Sequence, residues 1–328
     1  AFRKKLHAFQ QRIFNHHHQD GTFPQTNLMH WPGQWNRPVV RFGLSPPFGL
    51  SPSTRPAIHP KWHPGDVRVF VGAHLPVLVR KLAQLEHSGG PIDLAMTTNG
   101  ATMRLAADGL RQAGLRRVNI SLDTLDREKF HRMTRRDELD NVLDGIAAAQ
   151  AAGFDPVKIN AVIERGVNDD EIVALADFGR SQNVEVRFIE FMPLDASGHW
   201  MNDKVVSQDE IVAAINAVYP LEQVAARGSA PADRWRYTDG AGMIGVIPTI
   251  TKPFCGDCDR VRLTAEGQFR TCLFATTEFD LLQPMRGGAS DDDLAAEIQR
   301  AVGTKWAGHQ INQVNFIRPA RSMSQIGG

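Results

Sequence analysis

From residue 66 onward, apolar positions fall into two rhythms. Short runs of alternating or continuous apolar residues read as strands, and longer runs spaced by three and four read as helices. The pattern predicts strands over 66–71, 92–98, 118–122, 157–163 and 184–191. It predicts helices over 75–87, 101–113, 126–133, 138–152 and 169–181, with Gly114 and Gly153 as stops. Strand and helix in strict alternation imply an α/β fold of parallel strands joined by right-handed helical crossovers. A doubly wound sheet and a partial barrel both fit, and each places its site at the C-terminal ends of the strands.

Polar residues collect at those ends: Thr97-Thr98-Asn99-Gly100, Ser121-Leu122-Asp123, Lys158, Asn160, and Glu190 before Met192. Each also has a structural reading. Thr-Thr-Asn-Gly makes a strand-end turn with Gly in the left-handed region. Ser121 or Asp123 would serve as a cap for the helix near 126. Their shared location favours a common site.

The alternation stops after residue 192. Helices over 208–218 and 291–302 stand among Gly/Pro-rich connections and short strands. The chain therefore divides into three: a head over 1–65, an α/β body over 66–194, and a less regular module over 195–328.

The head has no sustained periodicity. It holds eight Lys/Arg against one acid, Asp20, together with nine of the 19 prolines and seven of the 12 histidines. The overall charge of +1 hides this split. Proline from 24 to 64 breaks helices and central strands, so the head is expected to be disordered. It reads as a basic arm, as a metal tract around His16-His17-His18, or as translation in a shifted frame. No run of 18 apolar residues suggests a membrane helix, and the first residues do not read as a secretory signal. Three cysteines are too few for a disulfide scaffold, which favours a reducing cytoplasm.

All three cysteines lie in the module, as Cys255-x2-Cys258-x13-Cys272. Such a loop with a later thiol suits a metal: zinc with a fourth ligand such as Asp257 or Asp259, or a 4Fe-4S cluster with one iron left open. Structural cysteines are the third reading. Arg260 and Arg262 follow the second cysteine in Asp259-Arg260-Val261-Arg262, and their fixed forks of donors suit phosphate, a base edge or pairing with nearby acids.

The run from Lys252 to Phe274, KPFCGDCDRVRLTAEGQFRTCLF, closely resembles the C-terminal cluster motif of the GTP 3′,8-cyclase family. The segments MTTNG, NISLDTLD, KINAVI and RFIEFMP and the terminal Ile326-Gly327-Gly328 resemble that family as well. Members are radical SAM enzymes of the first step of molybdenum cofactor biosynthesis. They convert GTP to (8S)-3′,8-cyclo-7,8-dihydroguanosine 5′-triphosphate. The resemblance implies an incomplete (βα)6 barrel closed by a C-terminal iron-sulfur module. It implies that Cys255, Cys258 and Cys272 hold a 4Fe-4S cluster whose open iron receives guanine. Arg68, Thr97, Lys158, Arg187, Arg260 and Arg262 would contact GTP. Gly72, Ser121 and Met192 would contact S-adenosylmethionine, and Gly327 and Gly328 would reach the active site. In the family, a second 4Fe-4S cluster on Cys-x3-Cys-x2-Cys cleaves S-adenosylmethionine, and the resulting radical takes hydrogen from ribose C3′. An electron donor is then a partner; neither nucleic acid nor a membrane is expected, and a homodimer is one option.

The sequence departs from the family at its start. No cysteine precedes Cys255, and Val71-Gly72-Ala73-His74 stands where the family has Gly-Gly-Glu-Pro. The barrel is thus expected to lack its first βα unit, by frameshift or replacement. Three functions are then open: an impaired cyclase, a non-catalytic GTP-binding iron-sulfur protein, or a chain that does not fold stably.

Overall fold

The computed structural model describes residues 39–44, 75–87, 90–194, 200–224, 230–305, 311 and 316–326. The expected strand at 66–71 lies outside them. In chain order the elements are β1 (Val39–Leu44), α1 (Leu75–Ala83), β2 (Glu86–His87), β3 (Gly90–Pro91), β4 (Asp93–Thr98), α2 (Met103–Gln112) and β5 (Arg117–Ser121). Then come α3 (Arg127–Thr134), α4 (Leu139–Ala151), β6 (Val157–Ile163), α5 (Ile172–Ser181), β7 (Glu185–Glu190) and α6 (Gln208–Asn216). The remainder is β8 (Leu221–Gln223), β9 (Asp233–Tyr237), β10 (Met243–Ile247), β11 (Arg262–Leu263), β12 (Gln268–Arg270), β13 (Phe279–Asp280), α7 (Leu282–Arg286) and α8 (Asp291–Gly303).

One sheet organises the body, in the order β1-β4-β5-β6-β7-β10-β9-β8. The first six strands of that order run parallel, and β9 and β8 add an antiparallel edge. Side chains alternate across each strand. One face, with Leu94, Met96, Ile120, Ile159 and Phe188, packs on the helices in the main core. The opposite face carries Thr97, Asn119, Lys158, Glu185 and Arg187.

Two expectations change. The head over 1–65 is expected from its composition to lie outside the fold, with the first strand missing. Val39–Leu44 instead pairs parallel with β4, from Val39 opposite Asp93 to Leu44 opposite Thr98. The run VVRFGL between Pro38 and Pro46 is β-prone, and an edge strand needs only one ladder, so pairing with β4 suffices to hold it. The sheet also crosses the boundary expected at 194, because β10 joins β7 in parallel register. Loss of strict strand–helix alternation thus marks a change of connection and not the end of the sheet.

The helices mostly match their patterns. α1 is shorter than the 75–87 expected, since Glu86–His87 turns back to pair with Gly90–Pro91. Neither Ser121 nor Asp123 caps α3. Its cap is Asp126, which accepts the Lys129 amide at 2.7 Å. Ser207 with Glu210, and Ser290 with Asp293, form capping boxes on α6 and α8.

Glu190, fully buried, joins the end of β7 to the start of α6 and to the loop after β10. Its carboxylate accepts the Gln208 amide at 2.9 Å and the Ile250 and Thr251 amides at 2.8 Å each. The Thr251 hydroxyl donates to it as well.

Candidate functional site

Strand register sets the site in rows. Thr97, Asn119, Lys158 and Glu185 are successive partners across β4, β5, β6 and β7. Ser121, Asn160, Arg187 and Gly245 form the next row toward the C-terminal ends. Asn119 Nδ2 donates to Thr97 Oγ1 at 3.3 Å. Glu185 accepts Lys158 Nζ on one oxygen at 2.8 Å and Arg187 Nε on the other at 2.7 Å. These three charged residues are 6–8% exposed. Burial, then the neighbouring Arg187, bring the Lys158 ammonium down to about 8, while Glu185 opposes them. Burial pushes the Glu185 carboxyl up, but Arg187 and Lys158 outweigh it and leave it below its ordinary value.

Near the C-terminal end of β5, burial raises the Asp123 carboxyl to about 6, against the Val162 amide it accepts at 2.8 Å. The Asn160 Oδ1 atom on the row above Lys158 is buried with no hydrogen-bond partner.

The cysteines stand on a small antiparallel unit. Arg262 in β11 pairs with Arg270 in β12, and extending that register sets Arg260 opposite Cys272. Lys305 ties the two sides together. Its Nζ donates to the Arg260 carbonyl at 2.8 Å and the Thr271 carbonyl at 2.5 Å, and lies 3.9 Å from Cys258 Sγ. Arg260 donates from Nη2 to Cys258 Sγ at 3.4 Å and stacks on Phe254, 4.6 Å from the ring centre. The Phe274 amide donates to Cys272 Sγ at 3.4 Å. Burial pushes the Cys258 thiol up, but Arg260 and Lys305 outweigh it and favour the thiolate. Burial and Arg260 lower the Arg262 guanidinium to about 10, against Cys272 and Cys258.

These residues fit an iron-sulfur cluster by donor chemistry. The three thiols are free of disulfides and half-buried, and two sulfurs already receive N–H donors. Among the described residues no group of three His, Cys, Asp or Glu is gathered tightly enough for one metal ion. A four-iron cluster asks for wider spacing, since each thiolate binds a different iron.

Two family models match: "Radical SAM superfamily" over residues 65–179 and "Molybdenum Cofactor Synthesis C" over residues 184–311. The GTP 3′,8-cyclase of Mycolicibacterium smegmatis is 43% identical over 268 residues, covering 79% of this chain and 74% of that one. The chain belongs to the GTP 3′,8-cyclase family. A Mycobacterium marinum member is 44% identical over 264 residues, covering 79% of this chain and 72% of its own. One from Corynebacterium glutamicum is 46% identical over 246 residues, covering 73% and 65%. The GTP 3′,8-cyclase family is one of radical SAM proteins of molybdenum cofactor biosynthesis. Among the described residues no helix is long and apolar enough to cross a membrane.

Of the expected site residues, Thr97 and Lys158 share the lower row, and Ser121 and Arg187 the upper. Met192 packs with Cys272 against the apolar cluster of Leu194, Ile250, Phe274 and Ile326. Arg260, Arg262 and the three cysteines form the second group. Arg68, Gly72, Gly327 and Gly328 lie outside the described residues. Three polar groups of the site have no role in the sequence pattern alone. Glu185 joins Arg187 in a Glu-x-Arg pair on one strand face, which alternation could have revealed. Asn119 is hidden inside an apolar strand. Lys305 lies 47 residues beyond Cys258 and leaves no local signal.

Proposed function

We propose that this chain binds GTP between the inner face of its parallel strands, an incomplete (βα)6 barrel, and the cysteine-bearing unit. The observation that carries this reading is the bridge made by Lys305, which draws the Cys258 loop to Thr271 beside Cys272, with Arg260 alongside. Cys255, Cys258 and Cys272 would hold a 4Fe-4S cluster. When bound, that cluster supplies an iron open to the guanine of GTP. Thr97, Lys158 and Arg187 would hold the nucleotide from the sheet side, and Arg260 and Arg262 from the other. Charge-assisted bonds from arginine suit phosphate oxygens. Ser121 and Met192 would contact S-adenosylmethionine. By the family resemblance, Arg68 would add a GTP contact, Gly72 an S-adenosylmethionine contact, and Gly327 and Gly328 would enter the active site.

The reaction assigned is cyclisation of GTP to its 3′,8-cyclo product, with an electron donor as partner. Within these 328 residues the only cysteines are the three at 255, 258 and 272. Thiolates hold 4Fe-4S iron, so this chain by itself has no thiolate set for the cluster that opens the radical step. We therefore assign it GTP binding with impaired catalysis. The second reading, a non-catalytic GTP-binding iron-sulfur protein, rests on the same count.

A thermal melt of the anaerobically reconstituted chain tests GTP binding. A ligand of the native state stabilises by about 2.7 kcal/mol at a hundredfold excess over Kd, so the transition should rise with GTP. An unmoved transition at saturating GTP would remove the reading. Formation of 5′-deoxyadenosine from S-adenosylmethionine would overturn the impairment.

A further inference from the structure

We propose that Glu185 is a positioning residue that spaces Lys158 and Arg187 as a two-cation clamp for the polyphosphate of a nucleoside triphosphate. The inference rests on the GTP reading and adds the residue that shapes the phosphate end of that site.

One carboxylate serves two cations here, one oxygen each. The contact to Arg187 is through Nε, on the side of the guanidinium. Among the described residues no hydrogen bond engages the terminal Nη pair, the fork that receives a phosphate in bidentate fashion. Lys158 spends one of its three donors on Glu185 and keeps two. Gly245 lies opposite Arg187 in the register, and a Cβ there would stand 3.3 Å from Arg187 Cγ. Glycine thus leaves the arginine stem its room.

Charge points the same way. Lys158, Arg187 and Glu185 sum to +1 behind a surface less than 10% exposed. An uncompensated buried charge is costly, so the cluster is complementary to an anion. The adjacent Arg117 does not change this sum, because Asp93 pairs with it at 2.7 Å. Removing Glu185 would leave two cations repelling each other without the carboxylate that both hydrogen-bond.

The groups facing Lys158 are Glu185 and Arg187 from β7 and Arg117 from β5, the last paired with Asp93 from β4. Burial, Arg187 and Arg117 favour loss of its proton near pH 8, and Glu185 retains it. Protonated Lys158 is the phosphate-binding form. GTP affinity should therefore fall as pH rises through about 8. In Glu185→Gln the proton leaves more easily, so the fall should begin at lower pH.

The test is GTP affinity of the full, reconstituted chain by calorimetry across neutral to alkaline pH. The wild type should lose about tenfold in affinity per pH unit beyond the Lys158 transition. E185Q should show that loss displaced downward by about one unit or more. K158R should abolish it, since a guanidinium stays charged. No GTP binding by the wild type would defeat the GTP reading and this inference together. Wild-type binding with an unchanged E185Q profile would overturn the role of Glu185 alone. Should E185Q fail to melt cooperatively, Glu185→Asp replaces it: a carboxylate one methylene shorter should weaken GTP binding and displace the pH profile, and a wild-type affinity and profile in E185D would overturn the role of Glu185.

Discussion

The Lys305 ammonium lies 3.9 Å from the Cys258 sulfur. Its hydrogen bonds to the carbonyls of Arg260 and Thr271 join the loop carrying two cysteines to the strand end carrying the third. A half-buried cation that fixes two backbones holds thiolates close while offsetting part of their charge. Lys305→Met should therefore leave both carbonyls unpaired and cost about 1–3 kcal/mol. Reconstituted K305M should release iron to a chelator faster than wild type. Equal release rates would show that Lys305 does not support the cysteine unit.

Glu190 makes a different joint, accepting three amides from two segments while fully buried. Glu190→Ala strands those donors, and about 3 kcal/mol or more should be lost in a urea titration. A loss under about 1 kcal/mol would mean that the connection is held elsewhere.

Two glycines should respond in opposite directions. A Cβ on Gly145 would meet the Gly100 carbonyl oxygen at 2.3 Å, where α4 crosses the turn after β4. Gly145→Ala should destabilise by about 1–3 kcal/mol. Gly109 sits exposed in the interior of α2 with open space around it. Gly109→Ala should stabilise by about 0.5–1 kcal/mol. Thermal melts of the two variants check both signs.

Asp123 gives the fold a pH signature. Burial raises its carboxyl from 3.8 to about 6. The folded protein therefore binds this proton more readily than the unfolded chain. Its contribution is fully present below about pH 4 and lost as pH rises through about 6. Asp123→Asn should remove that portion of the pH dependence, giving a flatter stability profile between those values. Denaturant titrations of both proteins across that window would read it. An identical slope in both would contradict the assignment.

Much of this is legible in the sequence because the governing signals are local. Period-two and period-three-to-four patterning marks β4 to β7 and the helices between them, and Cys255-x2-Cys258 announces itself by spacing. What escapes depends on register or on distant chain. Nothing local tells that Val39–Leu44 lies beside β4 or that β10 extends the same sheet, because both choices are made by ladder pairing across long separations. Glu185 reads as an ordinary strand-start charge until Lys158 stands beside it across the sheet. Lys305 has no motif at all. Arg68, Gly72, Gly327 and Gly328 remain expectations of family resemblance.

The central proposal is that the three cysteines hold one cluster and that these 328 residues supply no thiolate set for another. Iron per chain after anaerobic reconstitution tests it most directly. The account predicts about four irons per chain, falling toward none in Cys272→Ala. About eight irons per wild-type chain would reveal a second cluster and contradict the account.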